Sequence, residues 1–368
     1  PATTAIYTTA KSSAASDVYK RQEHGQLMTK TRSTTPSAAP LEADVEAIGG
    51  RFVDLEGVAM YRISGFDNMP PFLVSVVSSS DHWMYVSTGG GLAAGRVDPG
   101  RSLFPYETDD RLYRAAGTTG PFTLLRVTVE GRGPVLWEPL TDTAGLTPTT
   151  RNLYKSLAGD TVVFEEIRDD LGLTFRYRWS TSAEYGFVRT STLILDHEAA
   201  PASVEILDGL LNVMPANVPL GLQQSSSTLA EAYRRNEVDP STGMAIYSLE
   251  SRISDGAEPA ESLRANVAWP VGLEDVKVAL SSDQIAEFRR GNPVHGESLT
   301  KGCRGDYLLN ATLGLTAGET RSWQIVADVY QSQLDVQHRR AEILAASDLS
   351  ESIDADVNRG SDRLRSLI

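Results

Sequence analysis

Cysteine is nearly absent: Cys303 is the single one in the chain. That excludes an internal disulfide and a cysteine-built metal site, and it fits a reducing, cytoplasmic setting. Lys301 and Arg304 flank Cys303 closely enough to favour a thiolate, but an unpaired thiol beside a turn is ordinarily inert. Histidine is scarce too. His24, His82, His197, His295 and His338 form no His-x-x-x-His or His-Glu-x-x-His pair, so neither a metal nor a cofactor is expected. No apolar run is long enough to span a bilayer. No Gly-x-Ser-x-Gly elbow is present. Gly89-Gly90-Gly91 lacks the spacing and the trailing Lys-Ser/Thr of a phosphate-binding loop. Positive charge is in deficit. The formal net charge is −14, and because residues 1–40 hold five basic and two acidic residues, the remainder carries −17. An acidic body repels phosphate backbones and anionic lipid, so neither nucleic acid nor membrane is an expected partner.

The front of the chain reads differently from its body. Ser12 to Gln22 looks like translated adaptor sequence, which would make residues 1–22 an artefact and Met28 the natural start. The stretch Thr3 to Ser16 is small and polar and lacks the apolar core of a signal peptide. Thr29 to Pro40 is rich in Thr, Ser, Pro and Ala, so residues 1–44 are expected to be disordered.

From Arg51 to Val329 the pattern has a period of two. In Leu173 to Trp179, Leu173, Phe175, Tyr177 and Trp179 share one face, and Thr174, Arg176 and Arg178 the other, as a half-buried strand requires. Phe72–Val77, Trp83–Ser87, Leu125–Val129, Val162–Ile167, Phe187–Leu195, Ser203–Leu207, Met244–Leu249 and Trp323–Val329 are further strands. Gly131–Pro134 and Asp169–Gly172 have hairpin-loop composition. Many strands with Gly/Pro/Asp punctuation, and no alternation with long helices, predict an all-β fold: a large antiparallel two-sheet β-sandwich over residues 45–330. Helices are few. Thr228 to Glu231 can form a capping box, and Ser282 or Asp283 can cap a helix that Gly291 stops. Residues 331–368 read as two helical segments broken near Ser347-Asp348, with exposed apolar positions that ask for a partner.

The densest chemistry lies between Ser80 and Arg111. An aromatic strand runs into three glycines, then into a loop rich in Arg, Tyr, Glu and Asp. Such a loop on a rigid sheet suits a sugar, whose hydroxyls pair with planar charged groups and whose C–H faces stack on rings. The candidate substrate-binding residues are Trp83, Arg96, Arg101, Tyr106, Asp109, Asp110 and Arg111. A loop held by its own salt bridges is the plainer alternative, and a structurally satisfied ring is the plainer reading of His82. Glu165 and Glu166 are adjacent in a strand and point to opposite faces, so they cannot flank one glycosidic bond. Asp169-Asp170 sits where turns favour Asp. No catalytic residue is assigned. The Asn310-Ala-Thr312 glycosylation pattern carries no weight in a cytoplasmic chain.

Four segments carry a family likeness: Asp81 to Arg96, Leu103 to Leu112, Arg151 to Lys155 and Phe164 to Trp179. Together they resemble the N-terminal part of cellobiose-phosphorylase-like proteins, the glycoside phosphorylases and six-hairpin glycosidases, over roughly residues 45 to 368. The resemblance implies a galactose-mutarotase-like supersandwich acting on β-glucosides. It implies that residues 331–368 link to an (α/α)6 barrel that holds the catalytic Asp and is missing here. It further implies that the fragment is inactive alone, with a homodimer in the full-length protein. A self-contained mutarotase-like epimerase and a purely architectural module remain open alternatives.

Overall fold

Alternation decides which way each strand faces, and β10 (Leu173–Ser182) shows how. Leu173, Phe175, Tyr177 and Trp179 are buried, whereas Thr174, Arg176 and Arg178 are only half-buried. In the computed structural model, which describes residues 48–129, 131–141, 148–253 and 261–367, this strand lies inside a broad antiparallel sheet. In spatial order its members are β1 (Gly49–Leu55), β2 (Val58–Ser64), β8 (Thr150–Ser156), β9 (Val162–Arg168), β10, β11 (Gly186–Leu195), β19 (Thr320–Ser332), β15 (Arg264–Val271), β14 (Met244–Leu249), β13 (Arg234–Asp239) and β17 (Leu299–Lys301). A second sheet runs β16 (Lys277–Ala279), β18 (Gly305–Leu315), β12 (Ala202–Val213), β6 (Gly120–Val129) and β7 (Val135–Trp137). A small third sheet holds β3 (Leu73–Val76), β4 (His82–Ser87) and β5 (Leu92–Arg96).

The protein is therefore mostly β, with large antiparallel sheets forming a sandwich. Phe175, Trp179, Phe187, Trp323 and Ile325 of the large sheet meet Leu125, Val127, Val204, Ile206 and Leu309 of the second in one continuous core. Interdigitation of two inner faces is what holds such a fold. The third sheet adds Met84, Val86, Leu92 and Ala94 to the same core. The expected segment 1–44 and its adaptor portion 1–22 lie outside the described residues.

Each large sheet has a second face, and helices cover parts of it. On the second sheet, α4 (Asp283–Arg290) buries Ile285 and Phe288 against Phe122, Leu124 and Leu207. Gly291 ends that helix in the left-handed conformation at φ 85°, as read from sequence, but Ser282 makes no side-chain cap. The capping box expected at Thr228 does not form. The chain makes two short helices there, α2 (Leu220–Ser225) and α3 (Ser227–Ala232), and α3 begins at Ser227 with no side-chain cap. An unread capping box does form at the start of α5 (Gln333–Ala345), where Ser332 and Asp335 bond reciprocally. α6 (Leu349–Arg365) follows, capped by Asp348.

These last two helices do not leave their apolar positions without a partner, as their sequence suggested. Val336 and Ile353 are buried against Val188, Val267, Trp269 and Val326 on the outer face of the large sheet. Leu334 and Leu344 remain exposed. Polar contacts reinforce the docking: Asp356 accepts bonds from Ser182 and from the Glu184 amide, and Tyr185 donates to Glu342 at 2.8 Å.

Candidate functional site

The loop between β5 and β6 begins where Gly95 makes room for an aromatic ring. A side chain at Gly95 would collide with the Trp83 indole at 2.3 Å and with the Arg101 carbonyl at 2.7 Å. Absence of a Cβ lets Trp83 lie flat across the strand. Tyr106 then meets Trp83 edge to face, ring centres 5.7 Å apart. Gln223 of α2 fastens this loop, accepting from the Tyr106 amide at 3.0 Å and donating to the Pro99 carbonyl at 3.3 Å.

Arg101 leaves the short turn Pro99–Arg101, which Asp98 caps by accepting from the Gly100 amide. Its guanidinium lies 4.4 Å from the ring centre of Tyr330, and that of Arg264 lies 4.9 Å from the same ring. Arginine over a tyrosine face is an attractive cation–π pairing. Tyr330 holds this position because β19 bulges. Ala265 pairs with Gln331 and Val267 with Asp328, so Asn266 faces two residues of β19. Tyr330 adopts φ 61°, unusual for a bulky residue, and its amide donates to Asn266 Oδ1 at 2.9 Å. Asn266 Nδ2 donates in turn to the carbonyls of Ser102 and Met214. One buried amide thus ties the bulge, the loop and the end of β12 together.

Beside this stack lies an open groove of about 410 Å³, lined by Asp98, Gly100, Arg101, Asn217, Leu220 and Tyr330 among others. It presents a planar cation, a tyrosine, a carboxylate and an amide at one concave surface. Those are the groups that bind vicinal hydroxyls and a sugar C–H face.

The sequence-selected residues divide into three groups. Trp83, Arg101 and Tyr106 converge near the groove. Arg96 is engaged elsewhere. It donates from Nε to Asp81 at 2.9 Å and from Nη1 to both carboxylate oxygens of Asp328, at 3.1 and 3.2 Å. This is a clamp between β5 and β19, and it positions the strand end that carries Tyr330. Burial pushes the Asp328 carboxyl up to about 6, with Arg96 opposing. The third group, Asp109, Asp110 and Arg111, lies on the short helix α1 (Asp109–Leu112), away from the lining of the groove. Asp110 accepts from Thr108 Oγ1 at 2.5 Å and Arg111 pairs with Glu107 at 3.3 Å; the Asp109 side chain lies outside the described residues. His82 is buried, bonded through Nδ1 to Ser80 Oγ at 2.7 Å and packed edge-on to Phe187. Burial, then the charge of Arg96, lowers it to about 4, so it is neutral and structural near neutral pH.

Sequence reading missed Asp98, Asn217, Arg264 and Tyr330. Tyr330 falls in the strand-to-helix junction, and nothing in the local pattern announces a bulge there. The carboxylates read as structural are so placed: Glu166 takes bonds from Trp137, Arg151 and the Leu140 amide, and Glu165 from Asn152 and Tyr154 on the other face. Among the described residues no three His, Cys, Asp or Glu side chains form a group able to hold a metal ion.

No protein-family model matches the sequence, and no curated protein matches it. Among solved structures, the chain is similar to a bacterial glucoamylase complexed with acarbose, at a TM-score of 0.36 and 10% identity, over 81% of this chain and 38% of that one. It is similar to a polysaccharide lyase at a TM-score of 0.40 and 13% identity, over 74% of this chain and 34% of that one. A protein described as a kojibiose phosphorylase from the human microbiome gives 0.36 and 9%, over 66% and 26%. The chain spans roughly a third of the length of these proteins.

Proposed function

We propose that this chain is the carbohydrate-contacting β-sandwich of a glycoside phosphorylase or related glycosidase acting on β-glucosides, a cytoplasmic enzyme whose proton-transferring carboxylates belong to a barrel domain outside this chain. The observation that carries the reading is the stack of Arg101 and Arg264 on Tyr330 at the edge of an open groove. Aromatic and guanidinium planes held rigid by a buried amide suit the alternating polar and apolar surface of a sugar ring. The groove's volume of about 410 Å³ falls within the range of about 300–1,000 Å³ usual for ligand pockets, which fits a segment of a glucoside chain. The residues assigned to contact are Arg101, Tyr330, Asn217 and Asp98, with Trp83 and Tyr106 supporting the loop.

The test is calorimetric titration of the chain with cellobiose and cellotetraose. Binding is expected, weakened about tenfold or more in Tyr330→Ala and Arg101→Ala, a loss of about 1.4 kcal/mol. Absence of binding to either sugar defeats the proposal. So does robust phosphorolysis or hydrolysis of β-glucosides by this chain alone.

A further inference from the structure

A second concave site lies on the outer face of the large sheet, and it shares no lining residue with the groove at Tyr330. Register brings its floor together. Arg178 of β10 pairs with Thr190 of β11, and Thr190 with Gln324 of β19, so three polar side chains stand in a row across neighbouring strands. The next row is Arg176, Thr192 and Ser322. The β1–β2 hairpin forms one wall, through Leu55, Glu56 and Met60; α6 forms another, through Ser350 and Asp354. The cavity measures about 180 Å³.

Three buried atoms on this floor have no hydrogen-bond partner among the described residues: Arg178 Nε, Thr190 Oγ1 and Gln324 Oε1. Gln324 is only 3% exposed, and its other amide atom is already committed, donating to Asp354 at 2.9 Å. Buried polar groups are ordinarily satisfied, and leaving them unpaired destabilises the fold. These three ask for a ligand that both donates and accepts: a donor for Gln324 Oε1, an acceptor for Arg178 Nε, and either for Thr190. A hydroxyl does both. A simple anion accepts from Arg178 and Thr190 but leaves Gln324 Oε1 unpaired, and the lining carries no excess positive charge to hold it, because Glu56 and Asp354 already pair with Arg176 at 3.3 Å and Arg178 at 3.9 Å. Met60, Val163 and Val271 supply apolar surface in the same pocket, as a ring's C–H face requires. The volume lies below the usual range of about 300–1,000 Å³ for larger ligands, which limits the occupant to one small ring.

From these features we infer that this pocket is a second carbohydrate site, specific for a single neutral sugar ring. Arg178, Thr190 and Gln324 hold its hydroxyls, and Asp354 of α6 orients the Gln324 amide. The inference stands apart from the groove at Tyr330, because its geometry uses none of that groove's residues.

The experiment is saturation-transfer NMR on the whole chain with D-glucose, D-galactose, D-mannose and D-xylose, and with sodium sulfate as the anionic competitor. At least one sugar is expected to bind. Its affinity should fall about tenfold in Gln324→Leu and in Thr190→Val, one hydrogen bond to a buried group being lost in each. Circular dichroism confirms that each variant is folded, and Thr190→Val serves if Gln324→Leu is not. Leu344→Ala, an exposed change that lines neither site, should leave the signal unchanged. The inference is overturned if no sugar of the four binds, if binding survives in the folded pocket variants, if Arg101→Ala alone abolishes it, or if sulfate displaces the sugar.

Discussion

Arg189 of the large sheet and Asp208 of the second meet at 2.8 Å between the two layers, with neither side chain exposed to solvent. Asp208 is saturated: it also accepts from Thr123, Ser191 and Trp323. Arg189 lies over the Tyr177 ring at 4.9 Å. A charge pair this deep is tolerable only because every carboxylate lone pair is used.

Removing one partner strands the other. Asp208→Leu is expected to destabilise the protein by about 3–5 kcal/mol in urea unfolding. Arg189→Met combined with Asp208→Leu should cost clearly less than the two single changes added together, because no uncompensated charge remains. Strict additivity would refute the account of this pair as a coupled unit.

Asn266 holds the bulge that presents Tyr330. Its replacement by Ala removes three hydrogen bonds and leaves two carbonyls and an amide unpaired. A loss of about 1–3 kcal/mol is expected. Cellobiose affinity should fall with it, since Tyr330 loses the contact that sustains its left-handed backbone. A variant with wild-type affinity would show that the bulge is not needed for the groove.

His82 should make stability depend on acid. Its folded value is near 4, against an ordinary 6.5, because burial and Arg96 disfavour the imidazolium. A lowered value means that the unfolded chain takes up the proton first. The contribution is therefore complete above about 6.5 and lost as pH falls towards about 4. Thermal melts of His82→Gln should show a flatter profile than wild type across that window. An unchanged slope would mean that other groups govern it.

The closing helices are integral to the sandwich. Ile353 is fully buried against the outer sheet face, so Ile353→Ala should cost about 2–5 kcal/mol. Leu344, exposed on α5, should tolerate Ala within about 0.5 kcal/mol. Equal effects at the two positions would contradict the packing described.

The strand pattern was largely legible. The segments read around Leu173, Phe187, Met244 and Trp323 are strands because an alternating chain can bury only one face. Of the candidate groove only Arg101 was legible, together with Trp83 and Tyr106 that support its loop, since these three lie in one segment of unusual composition. Arg96 was selected for its chemistry, yet it is committed to Asp328, a partner remote in sequence. The helix starts at Thr228 and Ser332 were misread or missed because caps depend on backbone angles that neighbours impose.

Period and composition alone determined the β-rich body, the absence of disulfides and the acidic surface, since each follows from residue identity and local spacing. Register, bulge and layer pairing were decided only by the tertiary structure. It alone put Tyr330 beneath Arg101, lined up Arg178, Thr190 and Gln324 across three strands, and set Arg189 against Asp208. Those juxtapositions come from long-range packing, where residues far apart in the chain compete for the same buried volume, and no local pattern encodes the winner.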